Sequence, residues 1–381
     1  TIDKRLKKIL FEAASSLSHC KQLSINSLGR ALQRPAKVKH NIKSIDRLFG
    51  NNNLHTRSSE IYEVMTRWLL KGNERPIIII DWSGLTRCGA FHFLRASLPV
   101  GGRTLTLYEQ AYPLKDYTKD KTHREFLESL NKILPRNCRP IIVTDAGFRN
   151  PWFRAVLEFG WDFIGRIRNR TQYRHENETQ WQPVKRLYEQ ANYHACELGR
   201  VSVARSEPLD CYFYLKRQKK KFREKRNLAG KKIQCSVSKK HELCEREPWL
   251  IASSLSPAEM TANEIMIIYK KRMQIEEAFR DLKNTRNGFS LRHCRSFKVD
   301  RLNIALLIAA LAMFVLWLLG TATKKKNLHY SFQANTEKRK NVLSNLIIGW
   351  QVLVRNEILF SEIELMGAME VIVANGMWRG V

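Results

Sequence analysis

The chain has 381 residues, enough for two or three domains with sizeable cores. Its 66 Lys plus Arg against 36 Asp plus Glu leave a formal charge of +30, spread along the whole length. Such self-repulsion points to a polyanionic partner, nucleic acid ahead of an anionic membrane surface. Eight cysteines without a C-x-x-C pair or a Cys/His zinc spacing argue against a structural metal and for reduced thiols in a cytoplasmic protein. No secretory signal is visible, and a chain that begins at Thr1 without Met is expected to be a fragment.

Residues 1–70 read as helices. LSINSLGRAL, a break near Pro35 and VKHNIKSIDRLFG form a small unit with helix-turn-helix-like spacing. Its second half carries Lys37, Lys39, His40, Lys43 and Arg47; a plain bundle with a solvated basic face is the equal alternative. The run Pro76 to Ile80 is a short, continuously apolar strand, as expected when both faces are covered, and is predicted to stop at Asp81. Phe91 to Val100, a Gly101-Gly102 turn and Thr104 to Tyr112 read as a hairpin. A helix over His123 to Leu134 follows, then a buried strand from Pro140 to Thr144 ending in Asp145. A helix over Pro151 to Phe159 and a strand over Trp161 to Ile167 complete the set.

Strand, strand, strand, helix, strand, helix, strand is the order of an RNase H-like fold, in which the first and fourth strands are adjacent. Asp81 and Asp145 would then lie side by side. From about Arg168 to Glu247 strand-like pieces (VSVARSEP, CYFYLKR, KIQCSVS) surround a basic run, Lys216 to Lys232, read as a β-rich insertion with an exposed loop. The core resumes at Pro248-Trp249-Leu250-Ile251. Ile304 to Leu319 carries no charge but falls short of the about 20 residues of a spanning helix, so a buried core helix is predicted and no membrane partner. A final helical segment is expected over Asn335 to Gly376.

Tyr269 to Lys283, YKKRMQIEEAFRDLK, is predicted as one helix. At about 100° per residue, Tyr269, Arg272, Glu276 and Lys283 fall within an arc of roughly 80°. Ile268, Ile275, Phe279 and Leu282 form the adjoining apolar stripe, while Lys270, Gln274 and Asp281 point away. A surface helix with spaced salt bridges would look similar. Taken with Asp81 and Asp145, however, Glu276 completes three carboxylates suited to hard cations such as magnesium or manganese. That arrangement serves phosphodiester cleavage, with Lys283 reaching a phosphate and Arg272 and Tyr269 orienting phosphate oxygens.

The helix matches the Y-x2-R-x3-E-x6-K signature at Tyr269, Arg272, Glu276 and Lys283. In this the chain resembles the cut-and-paste DDE DNA transposases of the bacterial insertion-sequence group that includes transposons ten and five. It looks most like the transposon-ten type, in KHNIKSIDRL, LRAS, TLYEQAYPL, TDAGF, EPW, KRMQIEEAFRDLK, LRHCR and FQANT. The resemblance implies an α/β (α+β) chain with an RNase H-like catalytic core, a β-rich insertion and helical N- and C-terminal regions. Its expected division is a helical DNA-end-binding domain (1–70), a split core (71–167 and 248–325), the insertion with its basic loop (168–247) and a helical C-terminal region (326–381). Asp81, Asp145 and Glu276 would be the catalytic, metal-binding triad, taking Mg2+ with Mn2+ able to substitute. Tyr269, Arg272, Lys283, Trp249, Arg292, His293, Lys219, Lys220, Lys221 and Arg223 would bind DNA.

The implied reactions are a nick by water, attack of the freed 3′ hydroxyl on the opposite strand to make a hairpin, reopening of the hairpin, and strand transfer. The implied partners are terminal inverted repeats, target DNA and a second copy of the chain in a synaptic complex, in a bacterial cytoplasm at the nucleoid. Trp249 matches the tryptophan with which the family holds a flipped base, but Met273 stands where the transposon-five type has a Trp directly after the signature Arg. A structure-selective RNase H-like nuclease without strand transfer, or a non-catalytic DNA-binding relic, are the rival expectations.

Overall fold

The computed structural model describes residues 3–168, 171–219, 247–337 and 340–378. Lys220, Lys221, Arg223 and the expected strand KIQCSVS lie outside them. The chain divides into two units, one built from residues up to Pro140 together with those from Lys271 onward, the other from Ile141–Lys270.

The first unit opens with four helices, α1 (Lys4–Cys20), α2 (Ile25–Ala31), α3 (Val38–Phe49) and α4 (Asn52–Leu70). Asp3, Ser24 and Asn51 cap α1, α2 and α4 by accepting backbone N–H groups, which sets where these helices start. An antiparallel meander follows: β1 (Ile77–Gly84), β2 (Phe91–Pro99) and β3 (Thr104–Pro113). Gly101 and Gly102, both at φ 91°, make the β2–β3 turn, a conformation that side chains disfavour. β1 does not stop at Asp81. Its ladder with β2 continues to Gly84 opposite His92, so Asp81 sits within a strand, with Ser83 two positions on along the same face. The hairpin partner, not the apolar run, sets the length of β1.

Helix α5 (Asp120–Ile133) starts ahead of the predicted His123 and buries Phe126, Leu127 and Leu130. After the second unit, the first resumes with α8 (Met273–Lys283), α9 (Val299–Lys325), α10 (Asn345–Arg355) and α11 (Glu362–Gly376). Residues from Asn335 up to Ser344, predicted helical, lie in no helix where they are described. Helix α9 is long and apolar enough to cross a membrane, yet 72% of its most apolar window is buried. Every residue from Ile304 to Met313 is buried, in packing against β3, α1, α10 and α11. Gly320 of α9 and Gly349 of α10 make that crossing close: a Cβ on either would stand 1.9 Å from a backbone oxygen of the other helix. An all-round apolar helix is what such a core position demands.

The second unit contains β4 (Ile141–Thr144), α6 (Asn150–Glu158) and β5 (Asp162–Ile167), with β4 and β5 parallel. From β5 the sheet runs antiparallel through β10 (Trp249–Ser253), β9 (Leu209–Lys216), β8 (Cys196–Val203), β6 (Gln172–His175) and β7 (Gln182–Pro183). Helix α7 (Ala262–Lys271) closes this part of the chain. The predicted single helix from Tyr269 to Lys283 is therefore two, α7 and α8, separated at Arg272. Arg272 keeps helical angles (φ −51°, ψ −35°), but Ile275 bonds back to it with the tighter three-residue spacing, at 3.1 Å.

Candidate functional site

In the first unit, β1 and α8 bring a strand and a helix of the signature together. Helix α8 lies on the sheet face that carries Asp81, Arg95 and Glu109, which stand directly opposite one another on β1, β2 and β3. Ile275, Phe279 and Leu282 face inward, as the stripe predicts, with Ala278 beside them, and the Phe279 ring centre stands 5.3 Å from that of Phe93.

Asp81 Oδ1 accepts the Trp82 backbone N–H at 2.8 Å, and its Oδ2 lies 3.6 Å from Nη1 of Arg272. Nη2 of Arg272 donates to Oε1 of Glu276 at 2.6 Å. One guanidinium thus spans Asp81 and Glu276, the two predicted triad members in this unit. Along the strand, Lys283 Nζ donates to Ser83 Oγ at 2.6 Å. Burial pushes the Lys283 ammonium down to about 8, with Arg292 and Arg95 adding to the shift and Asp81 opposing it. His92 is lowered by burial and then by Lys283. Among the described residues no three His, Cys, Asp or Glu side chains gather as a ready-made metal cage.

Asp281 and Gln274 do not point away into solvent as predicted. Arg103 Nε donates to Asp281 Oδ2 at 2.6 Å, and the Gly102 backbone N–H donates to Gln274 Oε1 at 3.1 Å. The β2–β3 turn reaches α8 and pins its outer face. Burial pushes the Asp281 carboxyl up, against the pull of Arg103. Beneath the site lies the Arg95–Glu109 pair, with Arg95 Nε donating to Glu109 Oε2 at 2.8 Å and both side chains 0% exposed. Burial raises the Glu109 carboxyl, and Arg95 pulls it back down. The Arg95 guanidinium rests 5.3 Å from the rings of both Phe93 and Phe279.

Of the remaining DNA-binding candidates in this unit, Arg292 is exposed, whereas His293 is tied between Arg87 (2.6 Å) and Gln22 (3.1 Å). In the second unit, Asp145 follows β4 and accepts the Gly147 N–H at 2.8 Å through Oδ1. Trp249 opens β10, half-buried, with its ring edge-on to Tyr269 at 5.0 Å. Tyr269 is buried in α7 rather than open at a helix edge. Lys219, the described member of the basic loop, is exposed.

Three contributors escaped sequence reasoning: Ser83, Arg103 and the Arg95–Glu109 pair. Ser83 would follow from period-two alternation once β1 is extended. Arg95 and Glu109 lie about equally far from the Gly101-Gly102 turn inside otherwise apolar strands, a spacing that marks a cross-strand pair.

This first-unit arrangement offers oxygen ligands, a bridging cation and a second cation poised on a hydroxyl, a set able to handle phosphate chemistry. Comparison with curated proteins finds no match. The family described as Transposase DDE domain matches residues 72–315, more than half of the chain and inclusive of Asp81, Asp145, Glu276 and Lys283. The chain therefore belongs to the transposase DDE domain family.

Proposed function

We propose that the chain is a cut-and-paste DNA transposase of the bacterial insertion-sequence group, using Asp81, Asp145 and Glu276 as its acidic residues on an RNase H-like core. The observation that carries this reading is the convergence of Asp81 and Glu276 on one cation, Arg272, inside a transposase DDE domain. Carboxylate oxygens that already share a guanidinium are a donor set that fits hard divalent cations such as Mg2+ or Mn2+. When bound, such ions supply Lewis-acid activation of the attacking oxygen and stabilise the departing one.

The protein's own side chains would do the rest. Lys283, charged below about pH 8 and held by Ser83, is positioned to take a phosphate oxygen. Exposed Arg292 and Lys219 add phosphate contacts, with His293, Lys220, Lys221 and Arg223 as further candidates. Trp249, half-buried and braced edge-on by the buried Tyr269, offers a ring on which an extruded base could stack. Hydrolytic nicking, hairpin formation, reopening and strand transfer then follow in sequence on terminal inverted repeats held by two copies of the chain, in the cytoplasm at the nucleoid. Incubating purified protein with its flanking inverted-repeat DNA and magnesium should give hairpin ends and joined target. Nicks without hairpins or joining would favour a structure-selective nuclease, and DNA binding without nicks a relic.

A further inference from the structure

Arg272 stands between two carboxylates, not at an open edge. Its side chain is 13% exposed, it reaches Asp81 Oδ2 at 3.6 Å and Glu276 Oε1 at 2.6 Å, and it sits at the junction of α7 and α8. A single planar group with several donors can hold carboxylates from a strand and a helix on one point. A divalent ion taking those same oxygens would meet the guanidinium at contact distance, where like charges repel strongly. Both cannot occupy the place. Nη2 also contacts the Met273 thioether at 3.3 Å, and Met273 is 44% exposed. Lys283 Nζ instead donates to Ser83 Oγ at 2.6 Å.

We propose that Arg272 is a displaceable counter-ion and positioning residue. It holds Asp81 and Glu276 together before loading, then yields to the metal and becomes available to a DNA phosphate. This rests on the reading of Asp81 and Glu276 as metal ligands. Because the exchange links two ligands, metal strengthens DNA binding and DNA strengthens metal binding by the same factor.

The test is Mn2+ binding to the DNA-free protein, read by electron paramagnetic resonance, for the wild type, Arg272→Gln, Arg272→Lys and the Asp81→Asn/Glu276→Gln double variant. With the competing cation removed, Arg272→Gln should bind Mn2+ about three- to tenfold more tightly than wild type. Arg272→Lys, charged but unable to span both carboxylates, should fall between the two and carries the test should the Gln variant not fold. The carboxylate double variant should bind far more weakly. If that double variant binds as wild type does, the reading of the carboxylates as ligands fails. If it loses Mn2+ while the folded Arg272 variants bind no more tightly than wild type, the counter-ion inference is overturned and Arg272 is a fixed scaffold.

Discussion

Two ionic clusters share one face of the β1–β2–β3 sheet and differ in one physical variable. Arg95 and Glu109 are sealed from water, both side chains 0% exposed, under the Phe93 and Phe279 rings. Asp81 (15% exposed), Arg272 (13%) and Glu276 (42%) lie beside them, so this cluster opens to water at the Glu276 carboxylate. A sealed pair cannot exchange partners without leaving a buried charge, so it fixes geometry. A cluster that opens to water at one carboxylate can trade its guanidinium for another cation through that side, where water screens the exchange. The sheet thus carries a rigid layer that holds β2 and β3 in register, beside a more open layer that the counter-ion proposal makes exchangeable.

Breaking one partner of the sealed pair should have the largest effect on stability. Glu109→Ala leaves Arg95 buried and unpaired, and is expected to destabilise by about 3–5 kcal/mol in urea unfolding. The apolar double change Arg95→Met/Glu109→Leu should be within a few kcal/mol of wild type, in either direction, if the pair is a structural element only. Equal damage from the single and double changes would mean that the layer is held by something other than this pair.

The turn contact comes next. Arg103→Ala removes the partner of Asp281 and is expected to cost about 1–3 kcal/mol, since hydrogen bonds to charged groups exceed neutral ones. The change also loosens the outer face of α8, so the metal requirement for nicking should rise while Glu109→Ala mainly lowers the melting temperature. A change that moved neither would show that the β2–β3 turn merely touches the helix.

The smallest effect is a pH dependence. Burial lowers Lys283 to about 8, below the unfolded value of 10.5, so the charged form is disfavoured in the folded protein. That penalty acts below about pH 8 and fades as pH rises towards 10.5, so folded stability rises over this window. On the proposed phosphate role of Lys283, DNA affinity should run the other way, with the contact made below about pH 8 and lost above it. Lys283→Arg should flatten the affinity profile between pH 7 and 9, because guanidinium stays charged. A wild-type profile already flat across that range would remove Lys283 from phosphate contact.

Much of this layout was legible in the residues. Short apolar runs ending near Asp81 and Asp145, and the apolar stripe of Ile275, Phe279 and Leu282, follow from periodicity alone, and so does the buried run within α9. What sequence could not supply was the tertiary override. The extent of β1 depends on pairing with His92, which lies beyond a loop. The break at Arg272 has no Gly or Pro to announce it. Asp281 and Gln274 look like solvent-facing positions until the Gly101-Gly102 turn folds back onto α8. Tyr269 belongs to the signature by spacing, but its burial against Trp249 depends on β10, which is distant in sequence.

The neighbouring glutamates of α8 offer the most direct test. Glu276 shares Arg272 with Asp81, whereas Glu277 faces outward to Arg280 at 2.7 Å and Arg103 at 3.8 Å. Magnesium-dependent nicking of inverted-repeat DNA should be measured for Glu276→Gln and Glu277→Gln at matched melting temperatures. Glu276→Gln is expected to bind the DNA but leave it uncut, with Glu277→Gln retaining substantial nicking. Nicking by Glu276→Gln at the wild-type rate, or its loss in Glu277→Gln alone, would contradict the assignment of Asp81 and Glu276 as the catalytic carboxylates of this unit.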